Sequence, residues 1–241
     1  MGVCLALHGA YCGPWVWDEA LTGFGMPAVA IELRDHNRAD HHARGLDHYV
    51  DQLVDTAGVY PGRPVLIGHS MGALVAQKAL SRLKPAAAIL LAPVPPVGTG
   101  ATLPQTMLLD PVLWWQSAIA GFVDFDLADP DALSHSLFSD KVPRAEAERH
   151  VRRSVPESRR ALLDCLAPGP ILSAAWLGVP TLVIGVEKDP ISPPATCRFT
   201  ALYHGAECHI VDGAGHLMML EPGWPRVADV IRQWLGKRGL I

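Results

Sequence analysis

Apolar residues in this chain fall into short unbroken runs, and between the runs they recur every three or four positions. Val3 to Leu7, Ala28 to Leu33, Val65 to Ile67, Ala86 to Leu91, Thr181 to Val186 and Glu207 to Val211 are the runs. Bounded by glycine and polar residues, they predict strands buried on both faces. Leu46, Val50, Leu53, Val54 and Ala57 predict a helix over Leu46 to Val59, and Leu74, Val75, Leu80 and Leu83 predict another. The clearest helix carries Val227, Val230, Ile231, Trp234 and Leu235 at i, i+3, i+4, i+7 and i+8, with Gly236 as its stop. Trp15-Val16-Trp17 starts the first helix. Strands alternating with helices imply an α/β fold, with a mostly parallel central sheet covered on both faces.

From about Pro93 to Leu177 the strand runs cease. Asp110-Pro111 and Asp129-Pro130 are cap and first-turn pairs, which predict helices over Val112 to Phe125 and from Asp131 to Phe138. Arg144 to Val155 and Glu157 to Leu166 read as two further amphipathic helices. Four helices are too many for an ordinary crossover, so we read residues 95–177 as a helical lid, or cap, inserted into a core formed by 1–94 and 178–241.

The third run leads into Gly68-His69-Ser70-Met71-Gly72 and then a helix. Gly-x-Ser-x-Gly between strand and helix is the pattern of a nucleophile elbow, a sharp turn that holds a serine hydroxyl above the sheet. A serine needs a histidine to take its proton and an acid to orient that histidine. In an elbow protein the acid follows a later strand and the histidine follows the last one. Asp189 follows the run ending at Val186, with Glu187 as the rival acid, and His216 lies in the glycine-rich loop after Val211. The oxyanion formed during attack needs two backbone N–H donors. Met71 supplies one, and the loop His8-Gly9-Ala10 after the first run supplies the other from Ala10, or less favourably from Tyr11. His8 then orders that loop, and His69 is a packed or hydrogen-bonded neighbour of the nucleophile.

Trp114, Trp115, Ile119 and Phe122 form an apolar stripe on the first lid helix. It either lines a substrate pocket with Tyr11 and Leu217 or packs the lid onto the core. His36, His41 and His42 with Asp35 and Asp40 lack a regular ligand spacing and read as a surface loop, so no metal and no cofactor are expected.

Composition narrows the partners. Twenty basic and twenty-four acidic residues give a formal charge of −4 without a basic stripe, which argues against nucleic acid. No apolar run is long enough to span a membrane. The scattered cysteines, Cys4, Cys12, Cys165, Cys197 and Cys208, and an N-terminus that runs straight into a strand favour the cytoplasm. The expected partner is a small-molecule ester, and monomer and homodimer both stay open.

These residues resemble the α/β-hydrolase superfamily over nearly the whole chain. The stretch Gly9 to Trp17 and the motif Gly68-His69-Ser70-Met71-Gly72 are similar to plant methylesterases and hydroxynitrile lyases. Leu137-Phe138-Ser139 and Val155-Pro156-Glu157-Ser158 look like bacterial esterase-like members. The resemblance implies a catalytic triad of Ser70, Asp189 and His216 and an activity on esters, thioesters or lactones. The lyase branch places a lysine directly after the catalytic histidine, where this chain has Leu217. Dehalogenases and epoxide hydrolases use an aspartate nucleophile in place of Ser70. A carboxylic ester hydrolase is the expected activity, with a lyase or a slow-turnover ligand receptor on the same fold as the alternatives.

Overall fold

The computed structural model describes residues 2–22, 24–33, 43–101, 104, 107–108, 110–119 and 128–241. The sheet consists of β1 (Cys4–Leu7), β2 (Ala28–Ile31), β3 (Val65–His69), β4 (Ala87–Leu91), β5 (Thr181–Val186) and β6 (Glu207–Val211). The strands are parallel throughout and run in the order β2-β1-β3-β4-β5-β6. β2 stops at Ile31, two residues short of the apolar run.

Successive side chains of a strand point to opposite faces, and each face here has its own core. Cys4, Ala6, Val65, Ile67 and Ile89 join Trp17, Phe24, Val227, Ile231 and Trp234 on one side. Leu5, Leu7, Leu66, Leu90 and Val183 join Leu46, Val50, Leu53, Leu74 and Val75 on the other. The runs of β1, β3, β4 and β5 are buried throughout because both faces are covered. The edge strands fall short of that expectation: β2 is mostly half-buried, and β6 exposes Glu207 and His209. α1 (Leu46–Gly58), α2 (Met71–Leu83) and α7 (Pro194–His204) supply residues to the second core, and α8 (Trp224–Gly236) to the first. Gly236 is the last residue of α8 and does not break it; Lys237 is still helical and Gly239 makes the left-handed turn. Trp15-Val16-Trp17 belongs to a short 3-10 turn, Pro14–Trp17, rather than to a longer helix.

Between β4 and β5 lie α3 (Pro111–Ala118), α4 (Pro130–Leu137), α5 (Arg144–Val151) and α6 (Arg159–Leu166), with no strand among the described residues. Asp110 caps α3 by accepting from the Leu113 N–H at 2.8 Å, and Asp129 caps α4 through Asp131 N–H at 3.0 Å, as the Asp-Pro pairs predict. The predicted extension of α3 to Phe125 lies mostly outside the described residues. α5 ends before Val155, since a residue preceding proline is disfavoured in a helix and Pro156 follows. α6 starts after Ser158, whose Oγ accepts from the Ala161 N–H at 3.2 Å.

Parallel strands deliver every β-to-α loop to one edge of the sheet. The loops after β1, β3, β5 and β6 therefore converge although their residues lie far apart in sequence.

Candidate active site

At the end of β3 the chain reverses direction in one residue. Ser70 has φ 52° and ψ −117°, outside the regions a serine ordinarily occupies. Its amide donates to Leu91 O at 3.0 Å and its carbonyl accepts from Ala73 and Val94. These bonds hold the strained turn from both sides. The flanking glycines permit it. A Cβ on Gly68 would stand 2.5 Å from Gly72 O, and one on Gly72 would stand 2.4 Å from His8 O. Helix α2 can begin directly against β3 and β1 only because neither position carries a side chain. Met71 is the first residue of α2, so its N–H is among the four amides that a helix start leaves without a partner inside the helix.

Asp189 and His216 meet across the ends of β5 and β6. His216 Nδ1 donates to Asp189 Oδ2 at 2.7 Å, and both side chains are buried. The other carboxylate oxygen accepts from the amides of Ile191 at 2.8 Å and Ser192 at 3.0 Å, so Asp189 is fixed by its own turn. Glu187, the rival acid, is exposed. With Nδ1 carrying the proton, Nε2 of His216 keeps a lone pair. His216 and Ser70 line the same cavity.

His69 packs against His216 with ring centroids 4.7 Å apart and donates from Nε2 to His216 O at 3.0 Å. Its Nδ1 is buried without a partner. Burial, then the neighbouring His216 ring, holds its pKa well below the usual histidine range. His69 is thus a neutral brace that fixes the backbone of His216 without placing a second cation beside it.

In the loop after β1, Gly9 O accepts from His8 Nδ1 at 2.8 Å and from the Cys12 amide at 3.3 Å. A trans peptide points its N–H opposite to its C=O. Pinning Gly9 O therefore aims the Ala10 N–H away from those donors, and Ala10 lines the cavity beside Ser70 and Met71. The Tyr11 N–H is already engaged, donating to Glu157 Oε2 at 3.4 Å.

The cavity holds about 440 Å³, ordinary for a small-molecule site, and no Asp, Glu, Lys or Arg lines it among the described residues. Trp114, Tyr11 and Leu217 line it as expected, together with Leu113, Leu133 and Leu137. Trp115 does not: one position round the helix from Trp114, it faces outward and is 59% exposed. Phe122, His36, His41, His42, Asp35 and Asp40 lie outside the described residues. Among the described residues no cluster could hold a metal ion, no helix is long and apolar enough to cross a membrane, and the five cysteines are free thiols.

Glu221 is a residue the sequence reading missed. It is buried and accepts from the Gly215 amide at 2.7 Å, the Ser139 amide at 2.9 Å and Ser139 Oγ at 2.5 Å. It ties the loop before His216 to the start of the segment after α4. The available signal was a lone acid closing the apolar run Leu217 to Leu220, since a carboxylate in such company is rarely buried unless paired.

The family model described as "Alpha/beta hydrolase family" matches residues 4–230. No curated protein is significantly similar in sequence. Among solved structures the chain is similar to BpoC of Mycobacterium tuberculosis H37Rv, named for a non-heme bromoperoxidase, with 18% identity over 98% of this chain and 92% of that one and a TM-score of 0.74. It is similar to a thermophilic esterase from Thermogutta terrifontis, with 21% identity, coverage of 98% and 90%, and a TM-score of 0.70. It is also similar to polyneuridine aldehyde esterase, with 18% identity, coverage of 99% of each chain and a TM-score of 0.68.

Proposed function

Because the chain belongs to the alpha/beta hydrolase family, we propose that it is a serine hydrolase cleaving neutral carboxylic esters, thioesters or lactones of small to medium size through an acyl-enzyme on Ser70. The observation that carries this reading is the 2.7 Å hydrogen bond between Asp189 and His216, made at the wall of the cavity that Ser70 shares. An uncharged lining selects for a substrate without charge, since an ion would lose its water there and gain no partner. Residues 95–177 act as the lid, resting on the core of 1–94 and 178–241 and shaping the acyl and alcohol pockets.

In this mechanism Ser70 Oγ attacks the carbonyl carbon while His216 Nε2 takes its proton. Asp189 keeps the Nδ1 proton in place and stabilises the imidazolium. The carbonyl oxygen, now an oxyanion, is met by the amides of Ala10 and Met71, the second at the positive end of α2. Collapse expels the alcohol, which leaves with the proton from His216. Water then repeats the sequence on the acyl-enzyme and releases the acid. Leu217, buried on the cavity wall next to His216, offers no ammonium for the proton of a cyanide leaving group, which favours hydrolysis over cyanohydrin cleavage.

Turnover of p-nitrophenyl butyrate by the wild type and by Ser70→Ala tests the reading. Loss of roughly 10⁵-fold or more in kcat with the fold retained is expected, together with fluorophosphonate labelling of the wild type alone. Equal turnover by both proteins overturns it. Labelling without turnover across a panel of acyl lengths points instead to a slow-turnover receptor.

A further inference from the structure

Tyr11 follows Ala10 with φ 61°, in the left-handed region where a side chain is tolerated only if its surroundings enforce it. The enforcement comes from the helical insertion. The Val155 amide donates to Tyr11 O at 3.0 Å, and the Tyr11 amide donates to Glu157 Oε2 at 3.4 Å. Two residues on either side of Pro156 thus grip both polar groups of Tyr11's backbone.

Glu157 is only 2% exposed. Its other oxygen accepts from Tyr49 OH at 2.7 Å and from the Ser158 amide at 2.8 Å. One carboxylate therefore joins α1, the loop after β1 and the insertion. Its charge is felt at the cavity: the Tyr11 phenol and the Cys165 thiol are both pushed up, by burial first and by Glu157 second. A buried carboxylate gives up its hydration, which these hydrogen bonds must replace. Its position argues for a role beyond packing.

We propose that Glu157 is a positioning residue for the oxyanion hole, holding Tyr11 in its left-handed conformation and so fixing the course of the loop that carries the Ala10 N–H. His8 and Cys12 fix the Gly9–Ala10 peptide, which carries the donor, through Gly9 O; Glu157 fixes the next peptide through the Tyr11 N–H, and Val155 the one after that through Tyr11 O. The donor is clamped on both sides, and the second clamp belongs to the insertion. This rests on the serine hydrolase reading and adds that the insertion contributes to rate as well as to substrate choice.

The test compares wild type, Glu157→Gln and Tyr49→Phe on p-nitrophenyl butyrate. Alongside turnover, inhibition is measured with an alkyl trifluoromethyl ketone, whose adduct with Ser70 puts an oxyanion in the hole, and with the matching methyl ketone, which only fills the pocket. For Glu157→Gln, kcat should fall about tenfold to a hundredfold, less than the roughly 10²–10³ that outright loss of an oxyanion donor costs, while KM moves by less than about threefold on the uniform-binding criterion. The trifluoromethyl ketone should weaken by the same factor as kcat and the methyl ketone should hold. Tyr49→Phe should shift the same quantities in the same direction by less. Wild-type kcat in folded Glu157→Gln, or equal weakening of both ketones, overturns the proposal. If Glu157→Gln does not fold, Tyr49→Phe decides, and unchanged discrimination between the ketones counts against it. A wild type that turns over no ester and binds neither ketone defeats the hydrolase reading itself, a result distinct from either.

Discussion

Along the carboxyl edge of the sheet, buried polar groups are held by backbone amides and by one another. Asp189 takes two amides and His216, Glu221 takes Gly215 and Ser139, and His69 braces the His216 carbonyl. In the helical insertion ion pairs lie outside, as in Arg144 with Glu148 and Arg160 with Asp164, and the described surface turned to the cavity carries no charge. The two regions differ in what fixes them. The edge is rigid because strands and their turns determine it. The four described helices of the insertion have eight residues each, too short to be stable alone, and their arrangement depends on packing. On the proposed reading the chemistry rests on the first kind of scaffold and substrate choice on the second, with Glu157 as the point where the second reaches into the first.

Substitutions at the edge should therefore strike turnover, and substitutions in the insertion wall should strike selectivity. Asp189→Asn should lower kcat by roughly 10⁴-fold with KM little changed, because the wrong imidazole tautomer is favoured. Steady-state kinetics on p-nitrophenyl butyrate checks this, and a loss confined to KM would break the division. Gly72→Ala should cost about 3 kcal/mol in denaturant unfolding, at the upper end for overpacking, since its Cβ would press on His8 O and Leu7 O. It should lower activity as well, by displacing the loop that carries Ala10.

A third test contrasts the edge with a buried network that meets it only through Ala73 and Val94. His204 Nδ1 accepts from the Ala174 amide at 3.1 Å and Nε2 donates to Gln77 Oε1 at 3.0 Å, while the Gln77 amide donates to Ala73 O and Val94 O. Burial lowers the His204 pKa to about 4. A depressed histidine binds its proton more readily when unfolded, so its neutral form stabilises the fold fully above the unfolded value near 6.5. That stability is lost as pH falls from there towards 4. The difference in unfolding free energy between wild type and His204→Gln should shrink by about 3 kcal/mol over that window. A pH-independent difference would mean that His204 is not held neutral. The smallest effect is expected at Trp114→Ala. Enlarging the cavity wall should move the preferred acyl length upward by one or two carbons and change kcat/KM for the best substrate by about tenfold or less, following the worth of a few methylenes. A hydrolysis panel from acetate to decanoate reads this, and an unchanged profile would remove Trp114 from the pocket.

The edge was the more legible region. Ser70, Asp189 and His216 stand in a fixed order relative to strand runs, and the runs are conspicuous because both sheet faces are covered. The strand ends differ from the runs by a residue or two, as at Ile31, because periodicity says which residues are buried and not where hydrogen bonding stops. Two of the insertion helices were legible from Asp-Pro caps and two from amphipathic patterning, but the residues of the first that face the cavity were not. Trp114 and Trp115 are equivalent in composition, and only tertiary packing turns one inward and the other to solvent. Glu157 could not be singled out because its partners Tyr11 and Tyr49 lie far away along the chain, and Glu221, joined to distant Ser139, left only the signal of an acid closing an apolar run. Long-range polar pairing leaves no period to read.

The seam made by Glu221 has a further consequence. Its carboxylate bridges the amide of Gly215, the residue before His216, and Ser139 in the segment after α4, so whatever pries that segment outward also tugs on the loop that carries the imidazole. An oversized guest would enter at the expense of the base's alignment. Exclusion of bulky molecules would then show as sluggish conversion of something already bound, a gatekeeper that works by stalling its visitors rather than by turning them away.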